Sequence, residues 1–167
     1  MSIKVTPQGA VGAEVSNIDL NYLDDETFAE LREAYARHSV LFFHGQQLTP
    51  EAHINFAQRW GVINVNRFFT PVENYPQIAE VRKEPEQKFN IGGGWHTDHS
   101  YDQIPALGSL LYAKEVPLMG GDTLFASCAA AFDTLSEGIK TTLRSLRAVH
   151  SSRHVFGKTA PIPDDMS

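Results

Sequence analysis

The sequence predicts an α+β domain, with short strands and helices laid outside them. Two segments carry apolar residues at helical spacing behind strong N-terminal caps. Several short apolar or alternating runs are bounded by glycine and proline, as strands are. No internal repeat or low-complexity linker divides the 167 residues, so one domain over 1–167 is expected.

The elements follow in chain order. Ile3–Thr6 and Ala13–Val15 read as two strands split by the turn-prone Pro7-Gln8-Gly9. Asp24 is placed to cap a helix whose first turn is acidic, and Phe28, Leu31 and Tyr35 give it one buried stripe to about His38. Val40–Phe43 is a continuous apolar run, expected as a buried strand, and His44-Gly45 ends it. Thr49-Pro50-Glu51 opens a second helix with a cap, a proline at the first helical position and an acid. His53, Phe56, Ala57 and Trp60 share one face of it, and Gly61 is placed to stop it.

Residues 64–76 lack a clear period and read as a loop, and Ile78–Val81 reads as a short strand. Glu84–Lys88 is charged, interrupted by proline and expected to be exposed. Gly92-Gly93-Gly94 leads into Trp95-His96-Thr97-Asp98-His99. Strands are expected over Leu107–Glu115 and Asp122–Phe125, around the turn Val116–Gly121. Helices are expected over Ala129–Leu135 and Ile139–Leu146, and the end, Pro161–Asp165, reads as a loop.

Composition excludes several classes. Hydrophobic residues at 42% and charged residues at 20% are ordinary for a globular chain and unlike a disordered or fibrous one. Fourteen basic residues against 20 acidic ones lack the footprint of a nucleic-acid binder. No segment approaches the roughly 20 apolar residues of a membrane span, and the opening residues Met1–Val5 carry no long apolar stretch, so no secretory signal is expected. The single cysteine, Cys128, cannot form an internal disulfide, which points to a reducing, cytoplasmic setting. It lies in an apolar run and is expected as a small packing residue.

The chemistry is concentrated at His96 and Asp98. On a strand, residues i and i+2 face the same way, so an imidazole and a carboxylate would project together. That is two thirds of the 2-His-1-carboxylate triad of non-haem Fe(II) oxygenases, which leaves metal positions open on the opposite face. His-x-Asp alone also occurs as a surface histidine beside a carboxylate. The glycine run before it, the flanking tryptophan and the later Gly-Gly-Asp-Thr turn distinguish this one. His99, one residue further, is expected to face away, and His38, His44 and His53 read as solvated or hydrogen-bonded side chains.

Trp95-His96-Thr97-Asp98, Pro105-Ala106, Leu111–Pro117 and Gly120–Phe125 together closely resemble the taurine dioxygenase (TauD/TfdA-like) family. Gly12–Val15 with Asp19-Leu20, Arg37–Phe43 and Leu146–His150 extend the resemblance along the chain. The family is Fe(II)- and 2-oxoglutarate-dependent, with a double-stranded β-helix (jelly-roll, cupin-like) and flanking helices. The resemblance implies that His96 and Asp98 are the first two iron ligands. It implies that the Thr123 hydroxyl helps hold the distal carboxylate of 2-oxoglutarate, and that Trp95 packs behind the ligand strand. An aspartate at 98, where related halogenases carry a small residue, implies hydroxylation. The implied reaction couples O₂ and 2-oxoglutarate to a hydroxylated small-molecule substrate, succinate and CO₂.

The family's substrate-gripping positions fall, by an ungapped alignment, on Asn66, Phe69, Gly92 and Val155. Two apolar residues and a glycine suit a small zwitterion such as taurine poorly and a bulkier, more apolar molecule better. The family's third ligand, a histidine, and its 2-oxoglutarate-binding arginine belong to a later motif in which neither His150 nor His154 lies. The length therefore fits the front portion of such a domain, with an incomplete jelly-roll. An alternative is a truncated, non-catalytic or weakly metal-binding cupin-like module, or an interaction fragment. A homo-oligomer is left open, and neither a nucleic acid nor a membrane is expected as partner.

Overall fold

Asp24 and Thr49 do the capping work the sequence assigns to them, and the two helices they start organise the core. The computed structural model describes residues 2–66, 68–88 and 92–151. β1 (Lys4–Pro7) and β2 (Ala13–Ser16) form an antiparallel hairpin, with Val5 opposite Val15. α1 (Asp25–His38) then crosses over to β3 (Leu41–Phe42), which pairs parallel with β2, giving the sheet order β1-β2-β3. α2 (Pro50–Trp60) follows, and β4 (Pro71–Val72) with β5 (Tyr75–Ala79) makes a second, two-stranded sheet. α3 (Cys128–Asp133) and α4 (Glu137–Ser145) come last.

At the start of α1 the Thr27 N–H donates to Asp24 Oδ1 at 2.8 Å, and these hydrogen bonds hold the Asp24 carboxyl below its ordinary range. The helix ends at Ser39, which adopts a left-handed φ of 65° and donates its N–H to the Tyr35 carbonyl. The Ala52 N–H donates to Thr49 Oγ1 at 3.2 Å at the start of α2. The core is Val15 from β2, Leu20, Phe28 and Leu31 from α1, Leu48, and Phe56 from α2. Phe28, Tyr35 and Phe56 meet Trp60 edge-on, at ring separations of 5.1, 5.3 and 6.1 Å. Gly12 is needed where it stands: its φ is +99°, and a Cβ there would come within 2.9 Å of the Phe42 ring.

The segment expected as a strand over Leu107–Glu115 forms no ladder among the described residues. It is docked by side chains instead. Leu110 and Tyr112 pack on the core while Leu111 points outward, so the period-2 alternation holds without strand pairing. The Tyr35 hydroxyl donates to the Leu107 carbonyl at 3.1 Å. Tyr112 Oη accepts from Leu48 N–H and donates to the Gln46 carbonyl, both at 3.3 Å.

Several expectations are corrected. Asp122–Phe125 is not a strand, and β5 begins at Tyr75, inside the expected loop, because Pro71–Val72 pairs with it. Trp95 is 73% exposed and Cys128 is exposed, so neither is a packing residue here. The common reason is that burial of a side chain needs a second layer. No residue of α3 or α4 is buried, and among the described residues no part of 95–125 joins a sheet that could cover Trp95 or Cys128. No described helix is long and apolar enough to cross a membrane.

Candidate functional site

His96 and Asp98 are brought together, but not on a strand. Residues 95–97 have no regular structure, and a turn begins at Asp98. His96 Nε2 lies 3.2 Å from Asp98 Oδ1, and both side chains are open to solvent, at 51% and 62% exposure. His96 Nδ1 lies 2.8 Å from the carbonyl oxygen of Gly94. A carbonyl can only accept, so Nδ1 carries the proton, and in the neutral ring the lone pair sits at Nε2. In that neutral ring two acceptors face each other and a cation between them would satisfy both, whereas in the imidazolium Nε2–H donates to Asp98 Oδ1.

The spacing suits a metal ion. Two donors at adjacent octahedral positions, each about 2.1 Å from the ion, stand roughly 3.0 Å apart. A backbone carbonyl on the far nitrogen is also how metal-binding histidines are commonly oriented. Gly92 stands beside the ring: its φ is +70°, and a Cβ there would lie 3.1 Å from His96 Cε1. No third His, Cys, Asp or Glu joins the pair among the described residues.

The turn after Asp98 is better sealed. His99 has a left-handed φ of 55°, its Nδ1–H donates to Asp102 Oδ2 at 2.9 Å, and the Asp102 N–H donates to the His99 carbonyl at 3.0 Å. The Tyr101 ring touches both the His99 ring and Phe68. A small cavity of about 140 Å³ lies between Asn64, Val65, His99 and Asp102. Asp102 was not singled out from the sequence; His99 three residues before it, at turn spacing, is the signal that points to it.

Asn66 Oδ1 accepts from the N–H groups of Phe68 and Phe69, at 2.8 and 3.2 Å. That acceptor is therefore engaged in shaping its own loop. Phe69 is half-buried and Thr123 is exposed. Val155 and His154 lie outside the described residues. His53 is half-buried, with its ring 6.1 Å from Tyr112, and burial foremost lowers its pKa. Lys114 adds to the lowering, and a hydrogen bond with the Leu110 backbone opposes it.

Residues 3–166 match the model of the taurine catabolism dioxygenase TauD, TfdA family. The (S)-phenoxypropionate/alpha-ketoglutarate-dioxygenase of Delftia acidovorans is 33% identical over 160 residues, which is 90% of this chain and 55% of that protein. The alpha-ketoglutarate-dependent 2,4-dichlorophenoxyacetate dioxygenase of Cupriavidus pinatubonensis is 32% identical over 181 residues, 95% of this chain and 63% of that one. Among solved structures, a taurine dioxygenase from Burkholderia xenovorans superposes with a TM-score of 0.79 at 33% identity, over 90% of this chain and 54% of its own. AAD-2 in complex with Mn(II) and N-oxalylglycine superposes with a TM-score of 0.72 at 29% identity, over 99% of this chain and 60% of its own. The chain spans about half the length of the curated relatives it matches.

Proposed function

Because the chain belongs to the TauD, TfdA family of dioxygenases, we propose that it carries the front part of a jelly-roll oxygenase that hydroxylates a small organic substrate. Fe(II), 2-oxoglutarate and O₂ are the reagents, and succinate and CO₂ the co-products. The observation that carries this reading is the His96 ring, whose Nδ1–H is spent on the Gly94 carbonyl while Nε2 faces Asp98 Oδ1 at 3.2 Å. His96 and Asp98 are the first two metal ligands. The carboxylate offsets part of the metal charge, and the Gly94 carbonyl fixes which ring nitrogen is free.

When bound, the iron supplies the activation of O₂ that no side chain can provide. The chain's own residues do the holding. Thr123 donates its hydroxyl to the distal carboxylate of 2-oxoglutarate, and Phe69, Gly92 and Asn66 border the substrate, with Val155 assigned to the same role by sequence resemblance alone. A site with Phe69 beside the aromatic contact of Phe68 and Tyr101 suits an aromatic ether acid, the kind of molecule named for two relatives, better than taurine. The single cysteine suits a reducing, cytoplasmic setting, and residues 1–167 are read as one domain.

The absence of a third ligating side chain among the described residues favours a second reading, a module that binds metal weakly and does not turn over. Anaerobic addition of Fe(II) and 2-oxoglutarate separates the two. A visible charge-transfer band that is lost in His96→Ala and Asp98→Ala supports the enzyme and places a third ligand within the chain. A band undiminished in either variant removes that residue as a ligand, and no band from a chain extended through the family's later histidine and arginine supports the weak module. With turnover in hand, taurine should stimulate little succinate formation, and robust sulfite release from it would refute the substrate assignment.

A further inference from the structure

We propose that His99 and Asp102 are positioning residues for Asp98: their hydrogen bond fixes the turn in which Asp98 stands and ties it to the 64–69 loop. The inference rests on Asp98 as a ligand. It starts from a contrast in burial. His96 and Asp98 are 51% and 62% exposed, whereas the His99 and Asp102 side chains are only 17% and 19% exposed. The Asp98 side chain meets His96 in an open setting, whereas the residue that follows it is held three times over. The His99 Nδ1–H donates to Asp102 Oδ2 at 2.9 Å, the Asp102 N–H returns to the His99 carbonyl at 3.0 Å, and the Tyr101 ring lies against the His99 ring.

His99 takes a left-handed φ of 55°, uncommon for a residue with a side chain though less so for histidine, and the hydrogen bonds to Asp102 hold it there. Tyr101 passes the constraint on, since it also meets Phe68 at 6.3 Å, and the Phe68 N–H is fixed by Asn66. The ligand carboxylate and the loop expected to border the substrate are thus referred to one clamp. The cavity beside the pair, about 140 Å³, is well below the roughly 300 Å³ at which small-molecule pockets begin, so the pair holds structure and does not seat a substrate.

The test uses the chain itself and Mn(II), with broadening of the amide signals of residues 96–99 as the readout, because paramagnetic broadening registers weak binding. Amide exchange at Leu31 and Phe56 reports the core independently. Asp102→Ala and His99→Gly should each need about tenfold more Mn(II) for half-broadening, the size expected when a partner behind a ligand is lost. Asp102→Asn, which keeps an acceptor oxygen for His99, should stay near wild type. Core exchange should be unchanged in all three. An unchanged Mn(II) requirement in Asp102→Ala and His99→Gly overturns the proposal, and so does a loss matched by faster exchange at Leu31 and Phe56. Asp98→Ala separates the two levels of the argument: if it broadens as wild type does, the ligand assignment itself has failed. If it alone abolishes broadening, that assignment stands and only the positioning role has failed.

Discussion

Gly92→Ala should disturb the candidate site while leaving the core alone. Two effects act together at this position. The φ of +70° disfavours any L side chain, by about 1–2 kcal/mol for a left-handed residue. The new Cβ would also sit 3.1 Å from His96 Cε1, a few tenths of an ångström inside ordinary contact. Relief by displacement of the His96 ring takes it from its place opposite Asp98, which is the outcome the metal titration reads. If the strain is the cost of restoring that place, 1–2 kcal/mol corresponds to roughly a 5–30-fold loss of metal affinity. The Cε1–H signal of His96, followed by NMR during Mn(II) addition, reports both the displaced ring and the weakened binding. Gly94→Ala is the internal control, since nothing lies within 4 Å of its Cβ and the carbonyl that orients His96 is retained. Equal Mn(II) requirements in Gly92→Ala and Gly94→Ala would refute the argument, because they would mean that the position of the His96 ring does not govern the site.

Two further outcomes test the body of the fold. Leu31 is fully buried at 0% exposure, so Leu31→Ala should cost about 2–5 kcal/mol in denaturant unfolding. Leu143→Ala on α4, at 43% exposure and in a helix with no buried residue, should stay within about 0.5 kcal/mol, and equal losses would contradict the assigned core. His53 tests the pH dependence. Burial lowers its folded-state pKa from 6.5, so below that value the unfolded chain takes up a proton before the folded one does. Stability should therefore fall as pH drops through the window just under 6.5, and His53→Gln should flatten that slope in urea midpoints measured from pH 5 to 7.5. An unaltered slope would remove His53 as its source.

What was legible in the sequence was what is decided locally. The caps at Asp24 and Thr49 and the apolar stripe of Phe28 and Leu31 appear as expected, because a helix end and a helix face are set within a few residues. The alternation through Leu110, Leu111 and Tyr112 was legible too, but not the state it ends in: a strand needs a partner whose edge lies elsewhere in the chain. Trp95 and Cys128 were misplaced for the same reason, since apolar character does not say whether a covering layer is present. At the candidate site, residue types pointed to His96 and Asp98, yet the feature that orients the imidazole is a backbone carbonyl, which every residue carries and no motif marks. Asp102 was marked only by its turn spacing from His99, and that spacing gains its meaning once His99 takes a left-handed conformation.

The docking of residues 107–112 also has a bearing on time. Tyr35 reaches a carbonyl 72 positions along the chain, and the Tyr112 hydroxyl joins groups 64 and 66 positions before it. Closing a loop of that size costs about 4 kcal/mol in chain entropy, and three hydrogen bonds at about 1 kcal/mol each do not cover it without the burial of Leu110 and Tyr112. The hairpin, α1 and α2 need no such closure and can assemble from neighbours. The segment that follows the candidate ligands is therefore expected to dock on this core last and to leave it first. A chain caught early in folding would hold a formed helical core beside an undocked stretch of alternating apolar residues.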